Sequence, residues 1–119
     1  MSDSILRKKS KEFAKHIVIA CRTMRSDKIE SVLVNQILRA GTSVGANVHE
    51  AQYAQGTKDF ISKFEIALKE CNETDYWLEL LYETNSMQEA DYLSLKAAIT
   101  ELRRMLVSSV KTLKENQSS

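Results

Sequence analysis

Few residues in this chain are of a type and spacing that could do chemistry. His49-Glu50 opens like the zinc-protease pattern H-E-x-x-H, but Tyr53 stands one turn on, where the second histidine would have to bind the metal. Neither His16 nor His49 has a glutamate three residues before it, which removes the E-x-x-H ligand pair of di-iron carboxylate bundles. Gly41, Gly45 and Gly56 stand apart, and no G-x-x-x-x-G-K-[ST] loop is present to cradle phosphates. Cys21 and Cys71 lack C-x-x-C pairing and sit in helical apolar patterns, so buried thiols in a reducing compartment are expected, not a disulfide or a metal site. Glu65, Glu70, Glu73, Asp75, Glu79 and Glu83 could supply acid/base pairs, but no base, nucleophile and cleft accompany them. Glu65 also has Lys69 four residues on, the favourable orientation of a helix ion pair worth about 0.2–0.5 kcal/mol. The expectation is a protein that is not an enzyme and needs no metal or cofactor.

What remains is charge. The 17 basic and 16 acidic residues nearly cancel to +1, which excludes a uniformly basic nucleic-acid coat or an acidic tail. The distribution is polarised: residues 1–25 carry seven Lys or Arg against two acids, whereas residues 57–85 carry a net −4. Either the segments attract one another or the basic one orients a charged partner. Arg7, Lys8, Lys9, Lys11, Lys15, Arg22 and Arg25 are the candidate nucleic-acid contacts. No RNP-type aromatic motif accompanies them, so base-specific reading is not indicated.

The elements that must position these residues are helices. With 119 residues, 43% hydrophobic and 28% charged, the chain suits one globular domain over residues 1–119, and 0 Pro with 3 Gly leaves few turn formers for a β fold. A first helix over about 4–24 aligns Phe13, Ile17, Ala20, Cys21 and Met24. A second over about 27–54, with Asp27 and Glu30 as a capping box, aligns Leu33, Ile37, Ala40, Val44, Val48 and Ala51. Gly56 then suits a helix C′ position and Thr57 the next N-cap.

A third helix over about 58–83 aligns Phe60, Phe64, Ala67, Cys71, Thr74, Leu78 and Leu81. A fourth over about 87–114, capped by Ser86 with Glu89, aligns Tyr92, Leu95, Ile99, Leu102, Leu106, Val110 and Leu113. Residues 116–119 should fray. Loops this short force antiparallel neighbours, so the fold class is all-α, an antiparallel up-down-up-down four-helix bundle. Gly41 and Gly45, in G-x-x-x-G spacing, each cost about 1 kcal/mol relative to Ala, an expense tolerable where helices approach closely. Tyr76 and Trp77 lie off the third helix's core face and are expected in a subunit interface of a homo-oligomer. The opening residues lack the order of a signal peptide and no apolar run nears the ~20 residues of a membrane span, so a cytoplasmic location is the expectation.

The stretch RAGTSVGANVHEA (39–51), followed by DFISKFEIALKECNETDYWLELL (59–81), resembles the four-helix bundle proteins encoded in intervening sequences of bacterial 23S ribosomal RNA genes. That family is similar in turn to the accessory variability protein of diversity-generating retroelements. The resemblance implies a homopentameric ring that binds RNA or a reverse-transcriptase partner. Its polar positions fall on Arg39, Ser43, Asn47 and Glu50 in the second helix and Lys69, Glu70 and Glu73 in the third. Physically these form a stripe that can set register by pairing across the two helices or can touch a ligand. Two departures are visible: near-neutral charge, and Ala51 where many relatives carry Gly. Two functions follow as expectations: an RNA- or ribonucleoprotein-associated module, or a protein-interaction scaffold in which nucleic acid plays no part.

Overall fold

The computed structural model describes residues 2–118 and consists of four helices: α1 (Ser2–Ser26), α2 (Ser31–Ala51), α3 (Thr57–Glu83) and α4 (Glu89–Ser118). Each packs on the next and α4 closes against α1, with no close backbone approach across either diagonal among the described residues. Partners step in opposite directions along α1–α2 and along α3–α4. Arg7 meets Gln52 while Cys21 meets Val34, and Lys114 meets Glu65 while Tyr82 meets Glu89. The chain is therefore the antiparallel four-helix bundle that the short connections require, about 52 Å long.

The ends of the helices differ from expectation for identifiable reasons. At the end of α1 the Ile29 N–H reaches the Met24 carbonyl and the Lys28 N–H reaches that of Arg25, with Lys28 at φ 61°. This is a Schellman turn in which Ile29 packs back towards buried Met24. It consumes residues 27–30, so the Asp27–Glu30 capping box does not form and α2 begins at Ser31 behind Glu30, which makes no side-chain cap. A second Schellman turn closes α3, with Asn85 at φ 59° and the Ser86 N–H on the Leu81 carbonyl. Ser86 then shares its hydroxyl with Thr84 instead of capping α4, which starts at Glu89. Gly56 is not a C′ residue: α2 already ends at Ala51, and Gly56 occupies the N-cap position before α3, with Thr57 as the first helical residue. Asp59 Oδ2 accepts the Gln55 N–H at 3.2 Å and so ties the loop to the first turn of α3, whose own N-cap makes no side-chain bond. Residues 116–118 are helical where fraying was expected, and Ser119 lies outside the described residues.

The expected seams are buried with small shifts of phase. Val34 lies fully inside where Leu33 is half-buried, Ile61 where Phe60 is half-buried, and Leu6 and Ser10 extend the α1 seam by two turns. Tyr92 and Leu113 are half-buried at the two ends of α4. Both thiols are enclosed and unpaired. Burial pushes Cys21 up to about 11 and Cys71 to about 12, so neither forms a thiolate at neutral pH.

Gly41 and Gly45 set the distance between α1 and α2. A Cβ at Gly41 would fall 2.8 Å from Cγ1 of Ile17, and one at Gly45 would fall 3.1 Å from the Ser10 carbonyl oxygen. The first is a clash with a stiff β-branched side chain, the second a tight contact with backbone. Gly41→Ala should therefore destabilise the protein by about 1 to 2 kcal/mol, the overpacking cost outweighing about 1 kcal/mol of gained helix propensity. In an Ile17→Ala background the same substitution should stabilise instead, because the atoms it strikes are gone. Urea unfolding of the four proteins checks this, and a sign that stays the same in both backgrounds contradicts it.

Candidate nucleic-acid interface

Six of the seven candidate cations share one side of α1. At 3.6 residues per turn, Arg7, Lys8, Lys11, Lys15, Arg22 and Arg25 fall within about 100° of arc, opposite the buried seam. Lys9 does not belong to this band: it turns towards α4 and pairs with Glu101 at 3.0 Å. Lys15 is partly neutralised by Glu12 at 3.3 Å. Arg7 and Arg25 reach across to α2 but find neutral amides, Gln52 Oε1 at 2.6 Å and Asn35 Oδ1 at 2.7 Å, which orient the guanidinium groups without cancelling their charge. Lys8, Lys11 and Arg22 are exposed and have no ion pair among the described residues.

Beside the N-terminal half of this band lies a cleft of ≈ 480 Å³ between α1 and α2. Its floor is Ala14, Thr42, Gly45 and Ala46, low because the two helices touch there. Its rim carries Arg7, Lys8, Lys11, His49 and Gln52. The Gln52 amide links two of these: its oxygen accepts from Arg7, so its NH2 faces His49 Nδ1 at 3.1 Å. Arginine can only donate, so the amide is fixed in this sense and His49 carries its proton on Nε2, pointing away from Gln52. The sequence offered His49 only as a failed metal ligand. The signal that could have placed it was the i, i+3 spacing of His49 and Gln52 on the helix face that the glycines turn towards α1.

The polar stripe of α2 behaves in two ways. Arg39 bonds across to α3, holding Glu73 in a close contact and Glu70 at 3.3 Å. Glu73 also accepts the Trp77 indole N–H at 3.1 Å. Ser43 and Asn47, expected to pair with α3, turn back onto their own helix instead, Ser43 Oγ to the Arg39 carbonyl at 2.6 Å and Asn47 Nδ2 to that of Ser43 at 2.8 Å. A free hydroxyl or amide on a helix finds the carbonyl one turn back before it finds a neighbouring helix. Glu50 and Lys69 are exposed, and Lys69 acts on Glu73 only through its field. Trp77 is half-buried against the core, while its neighbour Tyr76 is 58% exposed, the two rings meeting edge-on at 5.0 Å.

On the far side of α3 the acids are neutralised within the chain. Asp75 meets Lys96 in a short contact and Arg103 at 3.5 Å, Glu79 meets Lys96 at 3.7 Å, and Glu65 meets Lys114 at 2.8 Å. Apart from Asp59, which pairs with Lys63 on its own helix, and exposed Glu83, the acids of the most acidic helix are thus paired with α4 and with Arg39, whereas much of the α1 band is not paired. Among the described residues no group of His, Cys, Asp and Glu could hold a metal ion, and no helix is long and apolar enough to cross a membrane.

The hydrogen bond from Trp77, then that from Arg39, holds the Glu73 carboxyl below its ordinary value, against the opposing effect of burial. A carboxyl lowered in the folded state contributes stability that is complete above its unfolded pKa and is lost as pH falls through the folded one. Glu73→Gln, which keeps an acceptor for the indole, should cost about 0.2–1 kcal/mol at pH 7, the usual worth of a solvent-screened pair. The difference from wild type should close on acidification below about 4. Urea midpoints at neutral and acid pH measure it, and a gap independent of pH contradicts the assignment.

Comparison with known proteins agrees with this architecture. The model of a family described as 23S rRNA-intervening sequence protein matches residues 2–108. A crystal structure of a protein of unknown function from the S23 ribosomal protein family, from Bacteroides thetaiotaomicron, is 46% identical, with a TM-score of 0.90 over 93% of this chain and 99% of that one. No curated protein matches the chain.

Proposed function

Because the chain belongs to the 23S rRNA-intervening sequence protein family, we propose that it is a non-catalytic module that contacts RNA phosphates through the basic band of α1 and works as a homo-oligomer. One observation carries the reading: Lys8, Lys11 and Arg22 stand exposed and unpaired on one face, while every acid of α3 except Glu83 at its C-terminal end is paired within the chain. A scaffold for a basic protein partner would want those acids available. A scaffold reading therefore has less support than RNA contact. Over residues 7–25 the band spans about 27 Å of helix, and repetition in a ring would multiply a modest patch.

Phosphate contact has a measurable signature. Three contacts to a single strand give a slope of about −2 for log affinity against log salt. Binding of a short single-stranded RNA should show that slope or a steeper one, and the combined variant Lys8→Gln, Lys11→Gln, Arg22→Gln should flatten it by about 2. Binding that is absent at low salt, or indifferent to salt, removes the RNA reading.

The assembly is tested at Tyr76. Trp77 supports its own subunit through the core and Glu73, so Trp77→Ala would disturb more than an interface. Tyr76 does not share that role and, with Ile66 at 39% exposure on the same helix, is the better interface probe. Tyr76→Ala should leave helicity unchanged and weaken association by about 1 kcal/mol or more. Light scattering reads the mass: a monomeric wild type contradicts the assembly, and an unchanged mutant contradicts the place of Tyr76 in its interface.

A further inference from the structure

The α1–α2 cleft has features that phosphate contact along a helix does not need. It is ≈ 480 Å³, within the usual ~300–1,000 Å³ of small-ligand sites, and its floor of alanine methyls, the Thr42 side chain and the Gly45 backbone is largely apolar. At one end stand Lys8 and Lys11 without ion pairs, together with Arg7 held in place by Gln52. Along one wall lies the His49 ring, braced by Gln52 and by the Tyr53 ring at 5.6 Å, with its Nε2–H left as a donor. An anion-binding end joined to a flat apolar floor and an aromatic edge suits a ligand with a charged head and a planar body.

We propose that this cleft binds one nucleoside monophosphate unit, its phosphate between Lys8, Lys11 and Arg7 and its base laid over Ala14 and Ala46 beside His49. Ammonium and guanidinium groups supply charge-assisted hydrogen bonds to the phosphate oxygens. The base gains by covering apolar floor and by contact with the imidazole, a mode of holding an unstacked base that depends little on which base it is. The unit comes either from a free nucleotide or from an unstacked residue of an RNA strand. In the second case the inference rests on the RNA reading for its source.

The test is a methyl-NMR titration of the full chain labelled at Ala and Thr, using AMP, inorganic phosphate and a short single-stranded RNA as separate probes. AMP should shift the Ala14, Thr42 and Ala46 methyls saturably, and inorganic phosphate should bind at least tenfold more weakly. Ala46→Leu, an exposed position that fills the floor, should weaken AMP binding tenfold or more, as should Lys8→Gln with Lys11→Gln. Arg104→Gln on α4 should not. If AMP and RNA both shift the three methyls, the unit is an RNA residue. If AMP does and the RNA does not bind at all, the cleft stands as a free-nucleotide site and the RNA reading falls. RNA binding that is indifferent to Ala46→Leu, with neither RNA nor AMP moving these methyls, overturns the cleft and leaves the RNA reading intact. No AMP shift, or equal affinity for inorganic phosphate, overturns the nucleotide assignment.

Discussion

The close approach of α1 to α2 is the constraint on which the rest of the structure depends. Two residues without side chains let the Ile17 side chain and the Ser10 backbone pack directly on α2 at Gly41 and Gly45. In water that packing gains apolar burial as well as dispersion, and it offsets the entropy that glycine loses inside a helix. The same approach brings Arg7 within reach of Gln52 and Arg25 within reach of Asn35, so α1's cations are braced by α2 at both ends. It also lowers the floor of the cleft beside Lys8 and Lys11. Packing and electrostatics on this side of the bundle have one geometric cause.

Charge pairing divides the molecule into a settled half and an unsettled one. The α3–α4 seam joins Asp75 to both Lys96 and Arg103, and the carboxylate holds Lys96 above its ordinary value. Across α2–α3, Arg39 takes up Glu70 and Glu73. These contacts fix the register of neighbouring helices more than they add stability, because most are open to solvent. On α1 the bracing groups are amides, which orient cations but leave their field uncancelled. A near-neutral chain can in this way present a positive face.

Much of this was legible in the sequence because periodicity reports burial directly. The seams through Ile17, Val44, Cys71 and Ile99 follow from spacing alone, and the glycine pair announced a close helix contact before its partner was known. Helix ends were less legible. Asp27–Glu30 and Ser86–Glu89 have the composition of capping boxes, but Lys28 and Asn85 adopt positive φ and extend the turns first, a preference of tertiary packing around Ile29 and Met87. The polar stripe was half legible: Arg39 has the reach to cross to α3, whereas Ser43 and Asn47 are short enough to satisfy themselves on their own helix. The cleft could not be seen from α1 or α2 separately. It exists only where Ala14 and Ala46 face each other across the glycine contact.

The central claim is that RNA meets this protein on the exposed face of α1. Lysine acetylation footprinting, read by mass spectrometry with and without bound single-stranded RNA, locates the contact residue by residue. The account predicts protection of Lys8, Lys11 and Lys15, with Lys58 and Lys111 equally reactive in both states. Uniform protection, or protection confined to lysines outside α1, would contradict it.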